Sequence, residues 1–349
     1  MAKKGLVGID IGSYYTKVVE IKEKKGVTYL EKIAREKTPD GVFVQEKVDV
    51  DILAEFLQYI YKQYNIKNKN VAVALNSSFV ISKTVTMPLV VDEEIEQAVM
   101  WEAEQYAPFG IEQVNVSYQV MKKDPEKNEM TVLIVLTKKE IVESYKEAFK
   151  KAKLNIVVLD VDIFALANAF FSNDFDNASK HNLLIDVGYN STKFIFTKNE
   201  IPTFSRYVDF GFKYIIDEAA SVFSMSNEEV TKMFENFDSV EDSKKDTLVS
   251  FVQDKTSKLY IQIQNSIGFY EANVLTSYDE LDNIVFSGAL GVMFEYVKSN
   301  MPHDIINNKN VFRIKPFSVF VVNNTMEEDI STPIGSLYSL AVGLAVRGL

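Results

Sequence analysis

Cysteine is absent from this 349-residue sequence, and histidine occurs only at His181 and His303. The absence of cysteine excludes a disulfide framework, a thiolate nucleophile and a cysteine-based metal site. Two histidines are too few for a histidine-rich metal centre. Any chemistry at a functional site therefore has to come from other residue types.

Long apolar runs and basic clusters are missing too. No stretch approaches the roughly 18 residues that span a bilayer, and Asp10 interrupts the apolar stretch after the basic N-terminal tip, so a secretory signal is not expected. Lysine and arginine total 38 against 49 aspartates and glutamates, a formal charge of −11. This balance argues against a dedicated nucleic-acid binder, because phosphate neutralisation supplies such binding. We expect a soluble, acidic, cytoplasmic protein.

Apolar residues make up 47% of the sequence, enough for a large core, and the length predicts two domains or one large α/β unit. An internal repeat refines this expectation, because residues 8–17 align with residues 184–193 at an offset of 176 positions. The shared residues are Ile9/Ile185, Asp10/Asp186, Gly12/Gly188, Thr16/Thr192 and Lys17/Lys193. Residues 164–169 align with residues 340–345 at the same offset, and two matches in register indicate a duplication.

Each half is predicted to begin and end alike. An apolar strand, Leu6–Ile11 or Leu183–Val187, ends in Asp-x-Gly, and a short polar turn leads to a second strand. A helix closes each half, at 162–169 and 336–347, with small residues two positions apart. Small side chains let two backbones approach closely, as helices that cross at a hinge require.

A third block, at 82–155, breaks this symmetry. It predicts an extended segment, a helix, two strands and a closing helix, which form an inserted αββα subdomain. The second half predicts helices over 212–223, 227–237 and 247–272, with a charged, mobile linker at 238–246. The expected division of the chain is 1–81 (first half), 82–155 (insert), 156–180 (connecting helix and return to the first half), 181–335 (second half) and 336–349 (C-terminal connecting helix).

The two Asp-x-Gly turns carry the predicted chemistry. At a strand end, the carboxylate of Asp10 or Asp186 can hold a hydrated magnesium ion. Glycine leaves room for phosphate to reach the backbone N–H groups of the turn. Ser13 adds a hydroxyl donor, and Lys17 adds a positive charge. Two such turns facing each other would hold a polyphosphate with a metal ion between them.

Plainer interpretations stay open at this point. Each turn alone fits an ordinary β-hairpin, in which Asp and Gly serve turn geometry. The turn Ser287–Gly291, after a predicted strand, is a weaker signal: it has room for an adenine ring against the backbone, but as a lone motif it is more often a plain connection between strand and helix. Glu229 and Lys232, three residues apart on one predicted helix, fit a surface ion pair.

Taken in order along the chain, these motifs resemble those of the actin-like ATPase superfamily. Residues 8–17 and 184–188 resemble its phosphate motifs, residues 162–169 and 336–347 its connecting helices, and residues 286–291 its adenosine motif. The resemblance implies an α/β, actin-like ATPase fold of two duplicated RNase H-like halves with the αββα insert.

Within that superfamily the sequence is similar to the PilM family of type IV pilus assembly proteins. The stretches 101–119, 159–167, 261–270 and 341–347 carry this similarity. The FtsA and PilM families place their subdomain 1C where the insert lies, whereas actin and MreB carry an insert elsewhere. FtsA ends in an amphipathic membrane-targeting helix, but the last helix here is apolar and better interpreted as buried, which favours PilM.

The resemblance implies roles for individual residues. Asp10 and Asp186 would orient Mg²⁺ through water, while Asp162 and Asp186 would be catalytic if hydrolysis occurs. The residues implied in binding the nucleotide are Asp10, Gly12, Ser13, Tyr14, Lys17, Gly188, Tyr189, Gly211, Glu229, Lys232, Gly288 and Ala289. The adenosine turn has Ser-Gly-Ala where relatives have Gly-Gly-x, and Gly211 stands alone where relatives often have a pair. We therefore expect ATP binding with weak turnover at most.

The leading hypothesis is an ATP-binding scaffold of the type IV pilus inner-membrane platform. By resemblance, it would bind ATP and Mg²⁺ in the cleft between its halves and grip the cytoplasmic N-terminal peptide of PilN. Other platform proteins and a second copy of the chain would be further partners, and the membrane would be reached only through partners. The alternatives are a filament-forming or membrane-recruited relative of FtsA or MreB, and a sugar-kinase-like phosphotransferase with Asp186 as base.

Overall fold

The computed structural model describes residues 5–108, 110–237, 240–274, 280–322, 330 and 333–349. The strands are β1 (Val7–Ile11), β2 (Tyr15–Lys24), β3 (Val27–Lys37), β4 (Phe43–Val44), β5 (Lys47–Val48), β6 (Asn70–Leu75), β7 (Val80–Pro88), β8 (Val114–Asp124), β9 (Glu129–Lys138), β10 (Asn155–Val161), β11 (Asn182–Val187), β12 (Thr192–Lys198), β13 (Ile201–Val208), β14 (Asn283–Gly288) and β15 (Asn310–Arg313). The helices are α1 (Val50–Gln63), α2 (Ile95–Glu104), α3 (Lys139–Lys151), α4 (Asp162–Asn173), α5 (Phe175–Ala178), α6 (Phe212–Phe223), α7 (Asn227–Glu235), α8 (Asp242–Lys255), α9 (Ser257–Asn273), α10 (Phe294–Ser299), α11 (His303–Ile306) and α12 (Ser339–Ala345). Short 3₁₀ segments lie at Ser77–Phe79, Asp92–Glu94, Ile111–Gln113, Ala289–Gly291, Pro333–Tyr338 and Val346–Gly348. A helix with the length and apolar character needed to span a bilayer is not found in these ranges.

The chain divides into two compact units. The first contains Met1–Thr38, Asn70–Ala74 and Asp162–Leu349, and the second contains Pro39–Lys69 and Leu75–Val161. In the first unit, every residue of β11 and β14 is buried. A central strand covered on both faces has a nearly continuous apolar sequence rather than an alternating one, and both strands have it.

The two sheets of the first unit repeat one topology. In one sheet, β6, β1, β2 and β3 are neighbours in that order, and in the other the order is β14, β11, β12 and β13, with β15 beyond β14. In both, the central strand pairs antiparallel within a hairpin and parallel with a later strand. The registers agree as well, because Asp10 lies opposite Lys17 and Asp186 lies opposite Lys193. The repeat predicted from the sequence is thus a repeat of the backbone.

The last helix packs at backbone distance against two other elements. A Cβ added to Gly343 of α12 would lie 1.7 Å from the carbonyl oxygen of Ala165 in α4. A Cβ added to Gly8 of β1 would lie 2.0 Å from the carbonyl oxygen of Ala341 in α12. All residues of α12 are buried. The small residues predicted at the crossing of the two connecting helices are therefore what permits that crossing.

The second unit contains the predicted insert elements. Strands β7, β9 and β8 form an antiparallel sheet, and α2 packs on it through Ile95, Val99 and Ala103. In α3, Ile141 and Tyr145 belong to a buried face, and this helix packs against α1. Residues four positions apart share one face of a helix, which explains both buried faces.

One predicted linker is partly helical. The sequence predicts a mobile linker at 238–246, but α8 begins at Asp242, so the prediction is wrong from that residue onward. Residues 238–239 lie outside the described part of the chain. In α8, Leu248 and Val252 are buried four positions apart. These two residues lie within the helix predicted from residue 247, but residues 242–247 before them are all polar and give no apolar repeat that would extend it.

One predicted helix is two helices. The sequence predicts a continuous helix over 247–272, but α8 ends and α9 begins around Thr256. This threonine is buried, and its hydroxyl donates to the carbonyl of Gln253 at 3.1 Å. A threonine hydroxyl that bonds back to the preceding turn competes with the helical backbone and favours a bend or an end.

The crossing of α4 and α12 predicts a large loss of stability in Gly343→Ala. The added methyl group would displace the backbone of α4, and we expect the free energy of unfolding to fall by about 3 kcal/mol. The control is Gly268→Ala in α9, where an added Cβ meets nothing within 4 Å. In this variant we expect the free energy of unfolding to rise by up to about 1 kcal/mol. Calorimetric melting of both variants would measure the difference. Equal melting temperatures would contradict the close crossing.

Candidate functional site

Two tight turns, after β1 and after β11, share one geometry. In the first, the N–H of Gly12 donates to the carbonyl of Tyr15 at 3.2 Å. In the second, the N–H of Gly188 donates to the carbonyl of Ser191 at 2.9 Å. A Cβ added to Gly12 would lie 2.6 Å from the carbonyl oxygen of Tyr15. Glycine at this position is therefore a requirement of the turn itself.

Two donors of Thr38, the residue that follows β3, hold the first turn in place. The Thr38 hydroxyl donates to the carbonyl of Gly12 at 2.7 Å, and its N–H donates to the carbonyl of Tyr14 at 2.9 Å. These carbonyl oxygens are thereby directed into the protein. Turns with carbonyls engaged in this way favour an anion on their N–H side.

The second turn is held by the start of α6. The N–H of Phe212 donates to the carbonyl of Gly188 at 2.9 Å, and the N–H of Lys213 donates to the carbonyl of Tyr189 at 2.8 Å. This approach requires Gly211, because a Cβ there would lie 2.2 Å from the carbonyl oxygen of Tyr189. The single glycine predicted at 211 thus positions a helix against the turn.

A cluster of charged groups lies below the two turns. The ammonium of Lys17 is 2.7 Å from Oδ2 of Asp10, an ion pair whose geometry falls outside that of an aligned hydrogen bond. The ammonium of Lys193 is 3.3 Å from Oδ2 of Asp186 and 3.4 Å from Oδ2 of Asp162, the first residue of α4. The three aspartates and Lys193 are buried.

The charge of Lys193 is fixed by its surroundings. Burial lowers the pKa of Lys193, but the carboxylates of Asp162, Asp186 and Asp10 raise it by more, and the pKa lies above its ordinary value. This lysine is therefore charged at every physiological pH. Because an unpaired buried charge is strongly destabilising, lysine and carboxylates depend on one another.

The carboxylates predicted to orient magnesium face lysines instead. A hydrated Mg²⁺ needs carboxylate oxygens directed at its water ligands. Here Lys17 lies against Asp10, and Lys193 lies against Asp186. In this arrangement the residues do not fit a magnesium ion held between the two aspartates. Within the described ranges, no three Asp, Glu or His side chains are grouped as a metal site.

Two tyrosines bring the turns face to face. The rings of Tyr14, from the first turn, and Tyr189, from the second, stack with centroids 4.4 Å apart and planes 22° from parallel. The ammonium of Lys37 lies 5.6 Å from the centre of the Tyr14 ring. Ser13 is exposed at the first turn. The two turns predicted from the sequence therefore lie next to each other, in contact through these tyrosines.

A third turn lies beside the second one. Gly288, which ends β14, pairs with Val187, and a Cβ added to it would lie 2.8 Å from Oδ1 of Asp186. Its φ of +73° is a conformation that glycine adopts without strain. Ala289 follows, partly exposed, in a 3₁₀ turn. The predicted adenosine turn is therefore adjacent to the predicted phosphate turn.

The two predicted residues on α7 have local partners. Glu229 accepts from the N–H and the hydroxyl of Ser226 at 2.8 and 2.7 Å. Its own N–H donates to the Ser226 hydroxyl oxygen at 3.3 Å, which together with the bond from the Ser226 N–H forms a capping box at the start of the helix. The hydroxyl and N–H of Ser226 hold the pKa of Glu229 below its usual range. Lys232 pairs with Glu228 at 3.1 Å and not with Glu229. Both residues are exposed.

Helix α7 is tied to the first hairpin by a contact that the sequence does not reveal. Arg35 of β3 pairs with Glu235 of α7 at 3.1 Å, and its guanidinium lies 4.8 Å from the centre of the Tyr15 ring. Burial, and then the carboxylate of Glu235, raise the pKa of Tyr15. These residues are 200 positions apart, so no motif spacing links them. Lys193 was detectable, because the repeat places it at the position of Lys17.

Comparison with known proteins places this site in a family. The family model described as type IV pilus assembly protein PilM matches residues 8–349. The chain belongs to this family. The membership agrees with the resemblance drawn from the motifs, and it covers both turns, the charged cluster and both connecting helices.

Solved structures show the fold. The chain is similar to a chain of the PilM-PilN type IV pilus biogenesis complex, with 21% identity, 99% of each chain covered and a TM-score of 0.82. It is similar to ethanolamine utilization protein EutJ from Carboxydothermus hydrogenoformans, with 13% identity and a TM-score of 0.56, and the match covers 99% of this chain and 89% of that chain. It is also similar to MreB 5 of Spiroplasma citri bound to AMPPNP, with 10% identity, 99% and 96% covered and a TM-score of 0.51. The predicted actin-like ATPase fold is confirmed.

The contact between Arg35 and Glu235 predicts energetic coupling. Arg35→Met and Glu235→Gln should each lower the free energy of unfolding. In the double variant this free energy should fall by about 1–2 kcal/mol less than the sum of the two single losses. The control is the solvent-accessible pair of Lys24 on β2 and Glu31 on β3, with an expected coupling below about 0.5 kcal/mol. Urea unfolding of both cycles measures this. Equal coupling in the two cycles would contradict a tie between β3 and α7.

Proposed function

We propose that this protein binds ATP at the two turns of its first unit and acts as a scaffold in type IV pilus assembly. Family membership supports the assembly role. The observation that carries the nucleotide proposal is the pair of glycine turns with matching hydrogen bonds, Gly12–Tyr15 and Gly188–Ser191, next to the cluster of Lys17, Lys193 and buried aspartates. Nothing in a plain β-hairpin requires that second, matching turn.

The phosphates would lie at the N–H sides of the two turns. The turn carbonyls are engaged by Thr38, Phe212 and Lys213, which leaves the opposite side of the turns for an anion. Lys17 lies directly under the first turn, since a Cβ added to Gly12 would be 3.2 Å from its ammonium. It would supply local positive charge to the phosphates in a protein whose net charge is −11. The stack of Tyr14 on Tyr189 would have to open for a phosphate chain to enter.

The adenosine would lie beside the second turn, at Gly288 and Ala289. The absence of a side chain at Gly288 leaves backbone and the Asp186 carboxylate close together there. Glu229 and Lys232 would contact ribose or base from the exposed side of α7, and both carry local partners that the nucleotide would have to displace. The MreB 5 structure, which is bound to AMPPNP, has the same fold and supports a nucleotide in this class of site.

The charged cluster favours binding over turnover. Asp162 and Asp186, the residues implied in hydrolysis, are both paired with Lys193. A carboxylate oxygen that contacts a buried ammonium is not directed at an attacking water or hydroxyl, as a general base has to be. The same pairing argues against Asp186 as the base of a sugar-kinase-like phosphotransferase. Lys17 and Lys193 lie against the carboxylates expected to orient a magnesium ion, so we propose no magnesium ion between Asp10 and Asp186.

The partner would be the cytoplasmic N-terminal peptide of PilN. The structural match to a chain of the PilM-PilN complex covers 99% of this chain and 99% of that chain. Binding PilN would bring the protein to the inner membrane without contact with lipid, and would join it to other platform proteins. A second copy of the chain is a further partner. We propose that the groove for this peptide lies beside the insert predicted at 82–155.

Removing the ammonium under the first turn should weaken ATP binding. We expect Lys17→Ala to lower affinity by about tenfold or more, since a hydrogen bond to a charged group contributes about 1.5–3 kcal/mol. The control is Lys24→Ala, at the far end of the same strand and paired with exposed Glu31. Isothermal titration with ATP, together with melting curves, measures affinity and folding separately. Unchanged affinity in folded Lys17→Ala would refute the site.

The scaffold proposal predicts binding of the PilN peptide. A synthetic peptide of the N-terminal cytoplasmic segment of PilN, from the same genome, should bind the full chain in titration calorimetry, whereas a scrambled peptide should not. Lys17→Ala should bind it as well as the unaltered protein does, because the change lies at the nucleotide turns. Failure of the native peptide to bind would remove the partner proposal and leave the nucleotide proposal standing.

A further inference from the structure

The two hairpins place a lysine at the same position and use it differently. Lys17 pairs with the aspartate opposite it, Asp10. Lys193 also contacts the aspartate opposite it, Asp186, but it is shared with Asp162 from another element. The second lysine therefore bridges the end of β11 and the start of α4.

The bridging ammonium is enclosed. Side chains of Lys193, Asp162 and Asp186 are 9, 8 and 6% exposed. A surface lysine keeps its ammonium in water, and its ion pairs contribute little. At Lys193 water cannot replace the carboxylates, so the contacts persist as a permanent feature of the site.

The ammonium of Lys193 lies where a cation would neutralise the carboxylates of Asp162 and Asp186. Its distances of 3.3 and 3.4 Å place it between two carboxylates, where a hydrated divalent ion would otherwise bind. An ammonium and such an ion cannot occupy the same space, and the lysine cannot dissociate. We infer that Lys193 takes the place of a divalent cation here, so that ATP binds with little dependence on Mg²⁺.

The balance of charge supports this assignment. Asp10, Asp162 and Asp186 bring three negative charges to the cluster, and Lys17 and Lys193 compensate two of them. Without Lys193, two uncompensated carboxylates would repel the phosphates of ATP. Metal-dependent nucleotide sites remove such repulsion with the bound ion, whereas in this chain Lys193 does so. The inference rests on the proposed nucleotide site.

The experiment compares ATP affinity with magnesium and with excess EDTA. For the unaltered protein we expect the two dissociation constants from titration calorimetry to agree within about threefold, a difference of about 0.6 kcal/mol. Binding that requires magnesium would overturn the inference and leave the proposed function intact. Absence of ATP binding under both conditions would overturn both.

Variants test the residue itself. Lys193→Met should lose about tenfold or more in affinity in EDTA and regain part of that loss with magnesium, because the ion can then enter. Lys193→Arg keeps the charge and should stay insensitive to magnesium. Lys198→Met, on the same strand, is the control. If Lys193→Met binds equally in both conditions, the assignment is wrong. Should it fail to fold, the unaltered protein still decides.

Discussion

A lysine buried among three carboxylates is the interaction on which the first unit depends. Lys193 contacts Asp186 at the end of β11 and Asp162 at the start of α4, with Asp10 of the other hairpin nearby. A buried charge is stable only when paired, so strand ends and helix start must meet in one arrangement. The cluster lies at the strand ends that carry the two glycine turns. It therefore helps to fix the positions of those turns, of the tyrosine stack and of the adjacent Gly288 turn.

Duplication explains why such a cluster exists. Two copies of one hairpin bring two copies of an aspartate opposite a lysine, in identical register. In isolation each pair would be a modest surface feature. With the two ends meeting around α4, acidic and basic groups must compensate one another across the repeat. The result is a site in which lysines compensate two of the three carboxylate charges before any ligand arrives, which agrees with the proposed role of holding a nucleotide rather than consuming it.

Much of this fold could be predicted from the sequence, and the misses have physical causes. Apolar strands ending in Asp-x-Gly, the small residues of α4 and α12 and the amphipathic α3 all follow from local pattern. The different partner of Lys193 could not be predicted, since the repeat gives position but not partner. The pair Arg35–Glu235 depends on contact between residues far apart in sequence. The break at Thr256 depends on which hydrogen bond its hydroxyl forms.

The packing of α12 against β1 has a consequence for how the protein is made. Gly8 contacts the backbone of Ala341, and Gly343 contacts that of Ala165. Strand β1 is synthesised early, but the helix that covers it follows more than 300 residues later. Until then the strand has an uncovered apolar face, and the closing contact spans nearly the whole chain. Contacts of such separation form slowly, and partly covered strands favour aggregation. The first unit can therefore complete this packing only after its last helix has been synthesised.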